Sequence, residues 1–330
     1  MPRIAIIGAG VSTAALAYYL DPAIDIEIFE KARGPGGRMA LRRHDQRHFD
    51  HGAQFFTARR EAFREFLAPL VQSGEVAEWN PRVTTLEKGC KPYKRIWFEP
   101  HYVGVPGMNQ LVKSRLRRYR LHFDARVSVL QVRDERWQLS LDDGAASRAF
   151  DWVISTAPAP QSRALLPADF ADAAVLDTAI MQGCYTLMLE LDESYSAAWD
   201  AAVVKNSPIG WLAMNNSKPA RPALPALVAH TTNEWAEQHI DDDPGQVESI
   251  LKDEVGELLD LPADKIQHSS LHRWRYANVY RPGGKPFCLD PEMRLAACGD
   301  WCVDGRVEAA FDSARQLAMR LNEHLSAARS

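Results

Sequence analysis

The chain has 330 residues, of which 46% are hydrophobic and 25% charged. At roughly 150 residues per domain this implies about two cored domains and excludes disordered, fibrous and mini-protein classes. With 39 basic and 43 acidic residues the net charge is −4, so no general cationic field attracts nucleic acid or anionic lipid, and any anionic ligand must be held locally.

The first twenty residues contain one basic residue, an apolar stretch and an Ala15-Leu16-Ala17 run, the pattern of a cleavable leader. Against that reading, they divide into a β-rich run (Ile4 to Ile7), a glycine turn and an alanine-rich stretch, which predicts strand, turn and helix. No window elsewhere offers about 20 uninterrupted apolar residues, so no membrane span is expected.

Residues 8 to 13 read Gly-Ala-Gly-Val-Ser-Thr after that strand, and a second apolar strand, Ile24 to Phe29, ends at Glu30. This is dinucleotide-fold spacing. Gly8 permits the tight turn and Gly10 lets the backbone approach a diphosphate, which then faces the N–H groups of a helix starting near Val11. Glu30 can accept from ribose hydroxyls and repels a 2′-phosphate. Thr13 stands where a third glycine is usual and asks for more room between helix and strand. These features do not separate FAD from NAD.

Lys31 to Arg38 reads Lys-Ala-Arg-Gly-Pro-Gly-Gly-Arg: either a mobile basic loop or, with open backbone at Gly36 and Gly37 and the fork of Arg38, a phosphate contact that favours FAD. Residues 59 to 73 predict an amphipathic helix with Phe63, Phe66, Leu67 and Leu70 on its buried face. Pro106 to Tyr119 predicts another, its arginine-rich end a solvated terminus or a ligand patch. Arg126 to Arg133 and Trp137 to Leu141 alternate as a meander, and Trp152 to Thr156 returns as a strand stopped by the Pro158 and Pro160 loop. Gly183 to Leu191, Ile209 to Met214 and Leu224 to Thr231 are strand-like, and Gln246 to Leu259 is helix-like.

Near the end, Arg294 to Cys298 predicts a short strand before Gly299-Asp300 and a helix from about Val307 to Leu325. The start of that helix, at Val307, can aim its dipole at the pyrimidine side of an isoalloxazine. Asp300 either serves a ribityl hydroxyl or a phosphate-region water, or simply caps a loop. The five cysteines, Cys90, Cys184, Cys288, Cys298 and Cys302, are an odd, scattered set that suits reduced thiols in a reducing, cytoplasmic compartment. Cys298 and Cys302 lack the companion ligands of a zinc site, so no metal is expected.

Together the three glycine-bearing segments resemble the FAD fold of the amine-oxidase and p-hydroxybenzoate-hydroxylase-like flavoproteins. Asp50-His51-Gly52-Ala53-Gln54-Phe55, Tyr102 to Met108, His230-Thr231-Thr232 and His272 to Ala277 narrow the resemblance to the renalase family over nearly the whole chain. The resemblance implies an α/β, Rossmann-like FAD-binding domain with an intervening mixed-sheet substrate domain. We expect residues 1–45, 105–160 and 290–330 in the former and 46–104 and 161–289 in the latter.

It also implies an FAD-dependent oxidase of misreduced nicotinamide dinucleotides, the 2- and 6-dihydro isomers of NAD(P)H, passing a hydride to flavin N5 and then electrons to oxygen. Ser12, Arg38, Gln54 and Phe55 then occupy FAD-contacting positions and Val127 meets the adenine portion. Because the nicotinamide regains aromaticity, no protein base is required and positioning is the main task. Flat walls and amides for that task are offered by Trp211, Met214, Asn215, His230, Trp274 and Tyr276, with Arg273 or Arg275 for a substrate phosphate. Asp50 and His51 are not read as an acid–base pair, because neighbours on a strand point to opposite faces. Cys288 lacks the surroundings of a covalent flavin anchor, so FAD is expected to be noncovalent. Flavin amine oxidase or desaturase chemistry is the alternative, followed by a nonenzymatic FAD and dinucleotide sensor.

Overall fold

The structure is a computed structural model that describes residues 2–96 and 98–327. Its first sheet has six strands in the order Cys288–Asp290, Leu295–Ala297, Trp152–Ser155, Arg3–Ile7, Asp25–Phe29 and Arg120–His122. All neighbours run parallel except the outermost pair, Cys288–Asp290 against Leu295–Ala297.

A parallel sheet covered on both faces needs apolar residues at every position, and Ile4 to Ile7 meet that demand. Ile4 and Ile6 enter one core with Ala14, Leu16, Phe311, Ala314 and Leu317, side chains of the helices Val11–Tyr19 and Val307–Ala327. Ala5 and Ile7 enter the opposite core with Phe29, Trp137, Leu139 and Phe150, beneath the hairpin Val127–Arg133/Arg136–Leu141.

The second sheet has seven strands in the order Ile266–Arg281, Ile180–Leu191, Ala226–Thr231, Ile209–Met214, Ala201–Lys205, Val83–Glu87 and Tyr93–Lys94. Pairing is antiparallel except between Ala201–Lys205 and Val83–Glu87, so the sheet is mixed. Helix Pro244–Leu259, capped by Asp243 on the N–H groups of Gly245 and Gln246, lays Val247, Leu251 and Val255 on Leu187, Leu189 and Leu191.

Helix Glu61–Gln72 buries Phe63, Phe66, Leu67 and Leu70, the positions picked out by periodicity. The helix expected over Pro106 to Tyr119 is shorter, Gln110–Leu116; Arg117, Arg118 and Arg120 after it are exposed, as a solvated end requires, whereas Arg115 is half-buried and lies over the rings of Tyr18 and Phe66 at 4.6 and 4.4 Å. The chain after Trp152–Ser155 is not a plain loop either: Pro158, with its fixed φ, stands at the N-cap of helix Ala159–Leu165. Among the described residues, no helix is long and apolar enough to cross a membrane.

Candidate active site

The first glycine turn is built by contacts the residue types require. Gly8 has φ +104°, and a Cβ there would lie 2.7 Å from Thr156 Oγ1. Thr13, fully buried, donates its hydroxyl to Gly8 O at 2.7 Å and shares a 2.8 Å hydrogen bond with Thr156 Oγ1. The third position of the motif therefore ties the turn to the neighbouring strand end through a hydroxyl, which glycine could not do.

Gly10 has no heavy atom within 4 Å of a Cβ built on it. The first intrahelical bond runs from Ala14 N to Gly10 O, which leaves the N–H groups of Val11, Ser12 and Thr13 at the helix mouth. Ser12 Oγ donates to Ala310 O at 3.2 Å and so brings the opening turn of the C-terminal helix alongside. That helix makes its first bond from Ala310 N to Arg306 O, freeing the N–H groups of Val307, Glu308 and Ala309. Two positive helix ends thus adjoin beside the open space over Gly10, a cradle that fits the diphosphate and the electron-rich ring edge of a flavin dinucleotide.

Glu30, nearly buried, accepts from Ala9 N and Ala32 N, both at 2.8 Å, while Gly36 N donates to Ala9 O at 2.8 Å. Its carboxylate fixes the turn and retains lone pairs for a ribose hydroxyl. Lys31 donates to Gln161 Oε1 at 3.3 Å, burial of its stem followed by Arg126 pushing its pKa below the ordinary lysine value. Gly37 is exposed and Val127 half-buried against the second core, on the same side of the sheet as Phe29.

Arg38 was expected to present an open fork to phosphate and Asp300 to serve a hydroxyl, a water or a loop cap. Instead the two are paired: Arg38 Nη1 and Nη2 donate to Asp300 Oδ2 and Oδ1 at 2.8 and 2.5 Å, and Nη1 also reaches Ala277 O at 3.1 Å. Asp300 is 4% exposed, so the bidentate pair clamps the Gly37–Met39 turn to the Asp300–Cys302 turn.

The turn after hairpin Leu41–His44/Arg47–Asp50 is held from below by a buried charge cluster. Asp50 Oδ2 accepts from Arg221 Nη2 at 2.7 Å and Lys218 Nζ at 3.3 Å, and Oδ1 accepts from Met108 N at 2.9 Å; all three side chains are fully buried. Burial works against the Asp50 carboxylate, yet Lys218, Arg221 and Met108 N hold it below the usual carboxylate range. Lys218, lowered by burial and then by Arg221 against the pull of Asp50, sits at about 8.

Lys218 also donates to Gln54 Oε1 at 3.1 Å, and Gln54 Nε2 donates to the carbonyls of Asp50 and Gly52 at 2.5 and 3.0 Å. The Gln54 amide is therefore committed to shaping this turn. Around it lie His51, stacked on Trp274 at 5.2 Å, and His272, edge-on to Trp274 at 4.3 Å. Trp274 Nε1 donates to His51 O at 2.9 Å, and His230 Nε2 stands 3.5 Å from Gln54 Nε2. Burial first, then neighbouring charge, keeps these imidazoles neutral: His51 at about 3, His230 and His272 at about 4.

A cavity of about 880 Å³ opens between this turn, the start of the C-terminal helix and the strands Val83–Glu87 and Tyr93–Lys94. Its inner end is lined by Ala53, Phe55, Phe56, His101, Gly305 and Val307. Phe55 packs against His101 at 4.3 Å and Trp211 at 5.8 Å. Glu308, also in the lining, accepts from Arg59 N and Arg60 N at 3.1 and 2.6 Å.

Of the expected cofactor residues, Phe55 and Val307 line this cavity, and Gly8, Gly10, Val11, Ser12 and Glu30 converge at the cradle. The expected substrate residues do not form one wall. Trp211 backs Phe55; Met214 belongs to the core under the mixed sheet; Asn215 is fully buried and donates to His48 O at 2.7 Å. Tyr276 packs into the second core. Arg273 and Arg275 are exposed and engaged elsewhere, donating to Ile240 O and Asp241 Oδ1 at 2.8 Å each. Cys288 is fully buried, with its thiol pKa pushed up chiefly by the Cys302 contact and then by burial, which suits a core thiol.

Sequence reasoning missed the exposed lining, Tyr93, Lys94, Arg95, Ile96, Phe98 and Lys205, the buried Thr85 beside it, and the buried Lys218 and Arg221. A signal existed for the exposed lining: Lys91 to Phe98 reads Lys-Pro-Tyr-Lys-Arg-Ile-Trp-Phe, cations interleaved with aromatics.

The open glycine cradle, the paired helix ends and the adjoining cavity define a dinucleotide-cofactor oxidoreductase. The profile of NAD(P)-binding Rossmann-like domains matches residues 6–70, and that of flavin-containing amine oxidoreductases matches residues 95–322, more than half the chain. The chain belongs to the flavin-containing amine oxidoreductase family; it is an FAD-dependent oxidoreductase. Its fold is similar to a protein from Exiguobacterium sp. 255-15 provisionally named protoporphyrinogen oxidase, with TM-score 0.77 and 13% identity over 98% of this chain and 99% of that one. Cyclohexylamine oxidase from Brevibacterium oxydans IH-35A is similar with TM-score 0.74 and 12% identity over the same shares of the two chains.

Proposed function

We propose that the enzyme oxidises 2- or 6-dihydro isomers of NAD(P)H to NAD(P)+, as the resemblance to the renalase family implies. FAD, when bound, accepts a hydride from the reduced pyridine; with oxygen and one proton the turnover yields the oxidised nucleotide and hydrogen peroxide. The observation that carries the reading is the aromatic lining of the cavity, where Phe55 and Phe56 stand with the ring of His101, edge-on to Phe55, beside Val307. Burial lowers the His101 pKa, so this wall is uncharged at neutral pH. A flat guest that loses a hydride and gains aromaticity needs such walls and no proton acceptor.

In this reading Val307 and its neighbouring N–H groups face the ring edge that gains charge, Gly8, Gly10 and Glu30 secure the nucleotide end, and Arg38 acts only by clamping the Gly37–Met39 turn to Asp300. We further read residues 1–45, 105–160 and 290–330 as the FAD-binding domain and the intervening segments as the substrate domain. A cytoplasmic location agrees with five free cysteines, four of them buried. A noncovalent cofactor is expected: acid precipitation should release all yellow colour, and retained flavin peptide would overturn this.

Flavin amine oxidation is the second reading, favoured by the family description and by the similarity to cyclohexylamine oxidase. Anaerobic titration separates the two. Rapid bleaching of the bound flavin by 6- or 2-dihydro-NAD and slow bleaching by ordinary 4-dihydro-NADH is the expected outcome. Bleaching by amines with the isomers inert would replace the first reading with the second.

A further inference from the structure

The chain is net negative, yet the mouth of the cavity is not. It is lined by Arg59, Lys94, Arg95, Lys205 and Arg306 against Glu99 and Glu308. Glu99 is paired with Arg59 at 2.9 and 2.6 Å, and the Glu308 carboxylate is turned to the Arg59 and Arg60 backbone N–H groups, which leaves three basic side chains in excess over the acids of the lining. Arg306 has its own partner, Asp304, at 3.2 Å. Among the described residues, Lys94, Arg95 and Lys205 are left with no carboxylate within salt-bridge distance.

All three are exposed and sit on the last strands of the mixed sheet. Lys205 ends Ala201–Lys205 and lies over the ring of Tyr93 at 5.6 Å; Lys94 ends the edge strand Tyr93–Lys94; Arg95 follows it, its N–H donating to Val83 O at 2.9 Å. Beside them, Ile96 and Phe98 are 65% and 91% exposed. Cations without a carboxylate partner, Lys205 bonded to the Tyr93 side chain, stand next to exposed apolar side chains in a cavity that is otherwise aromatic at Phe55, Phe56 and His101, which describes a guest with an aromatic head and an anionic tail. An alkylammonium substrate would enter against this field.

We propose that Lys94, Arg95 and Lys205 form a phosphate-recognition site at the cavity mouth that holds the diphosphate of a pyridine dinucleotide while its ring occupies the inner end. This rests on the nicotinamide reading and deepens it by naming the residues that select a dinucleotide over a phosphate-free nicotinamide and over amines.

The test uses the flavin-loaded full chain, wild type and the triple variant Lys94→Gln, Arg95→Gln, Lys205→Gln, with flavin content and melting temperature measured on both. The ratio of kcat/KM for 6-dihydro-NAD to that for phosphate-free 6-dihydronicotinamide riboside should fall at least about tenfold in the variant. Its decline with ionic strength between 20 and 300 mM, steep in the wild type, should flatten. Equal ratios and equal salt slopes in the two proteins would overturn the proposal.

ADP-ribose binding, followed by calorimetry, needs no turnover. Binding by the wild type that is weakened at least about tenfold in the variant supports the site even if the isomers prove inert, in which case only the oxidase reading falls. Undetectable or undiminished ADP-ribose binding sinks the site while leaving the oxidase reading to its own titration.

Discussion

Gly8 and Gly10 stand two residues apart and are glycine for different reasons. At Gly8 the backbone is left-handed and Thr156 fills the space a side chain would need, whereas Gly10 is extended and faces open volume. Gly8→Val should therefore cost about 2–5 kcal/mol through strain and overpacking. Gly10→Val should cost only about 1 kcal/mol, the loss of a good N-cap residue, while filling the place of the diphosphate. The expected outcome is a folded, colourless Gly10→Val protein by circular dichroism and flavin absorbance. A yellow Gly10→Val protein would remove the diphosphate from this turn. The glycine spacing was legible in the sequence because it is local; the role of Thr13 was not, because its partner Thr156 is 143 positions away and approaches only when two parallel strands pair.

At the scale of elements, the Asp50–Phe55 turn owes its shape to charges underneath it. Asp50 is the shared counter-ion of Lys218 and Arg221, so Asp50→Asn leaves two buried cations uncompensated and should cost about 3–5 kcal/mol in urea unfolding. Lys218→Met leaves Asp50 bonded to Arg221 and to Met108 N, and forfeits the 3.3 Å contact to Asp50 with the hydrogen bond to Gln54, about 2 kcal/mol. Equal losses in the two variants would contradict this account.

Apolar elements were read close to their true bounds: Asp25–Phe29, Ile209–Met214, Glu61–Gln72 and Val307–Ala327 each carry one buried stripe or run. The hairpin Leu41–His44/Arg47–Asp50 and the sixteen-residue strand Ile266–Arg281 escaped, because both are rich in charged and histidine residues. Their pairing partners, rather than their own hydrophobicity, make them strands.

Across the whole molecule, the buried imidazoles set a direction for acid stability. His51 near 3 and His230 and His272 near 4 remain neutral in the folded chain, whereas unfolded histidine accepts a proton near 6.5. Between about pH 6.5 and 4 the unfolded state therefore binds more protons, and stability falls as pH falls through that window. The melting temperature should drop progressively from pH 7 to pH 4.5, and His272→Gln should make the drop shallower. A melting temperature that stays level across this window would show that these imidazoles do not govern acid unfolding.

Chain-local chemistry alone settled the nucleotide turn, the acid that ends the second strand, the helix that closes the chain and the absence of a long apolar span, since each is a contiguous pattern whose physics acts within one or two elements. Folding decided what meets what. It closed Arg38 on Asp300, sent Arg273 and Arg275 to the 240–241 segment, placed Asn215 beneath the hairpin and gathered Lys94, Arg95 and Lys205 at one mouth. Those outcomes depend on sheet order and register, which bring together residues from 33 to 262 positions apart, and a side chain's role follows from the partner it then finds.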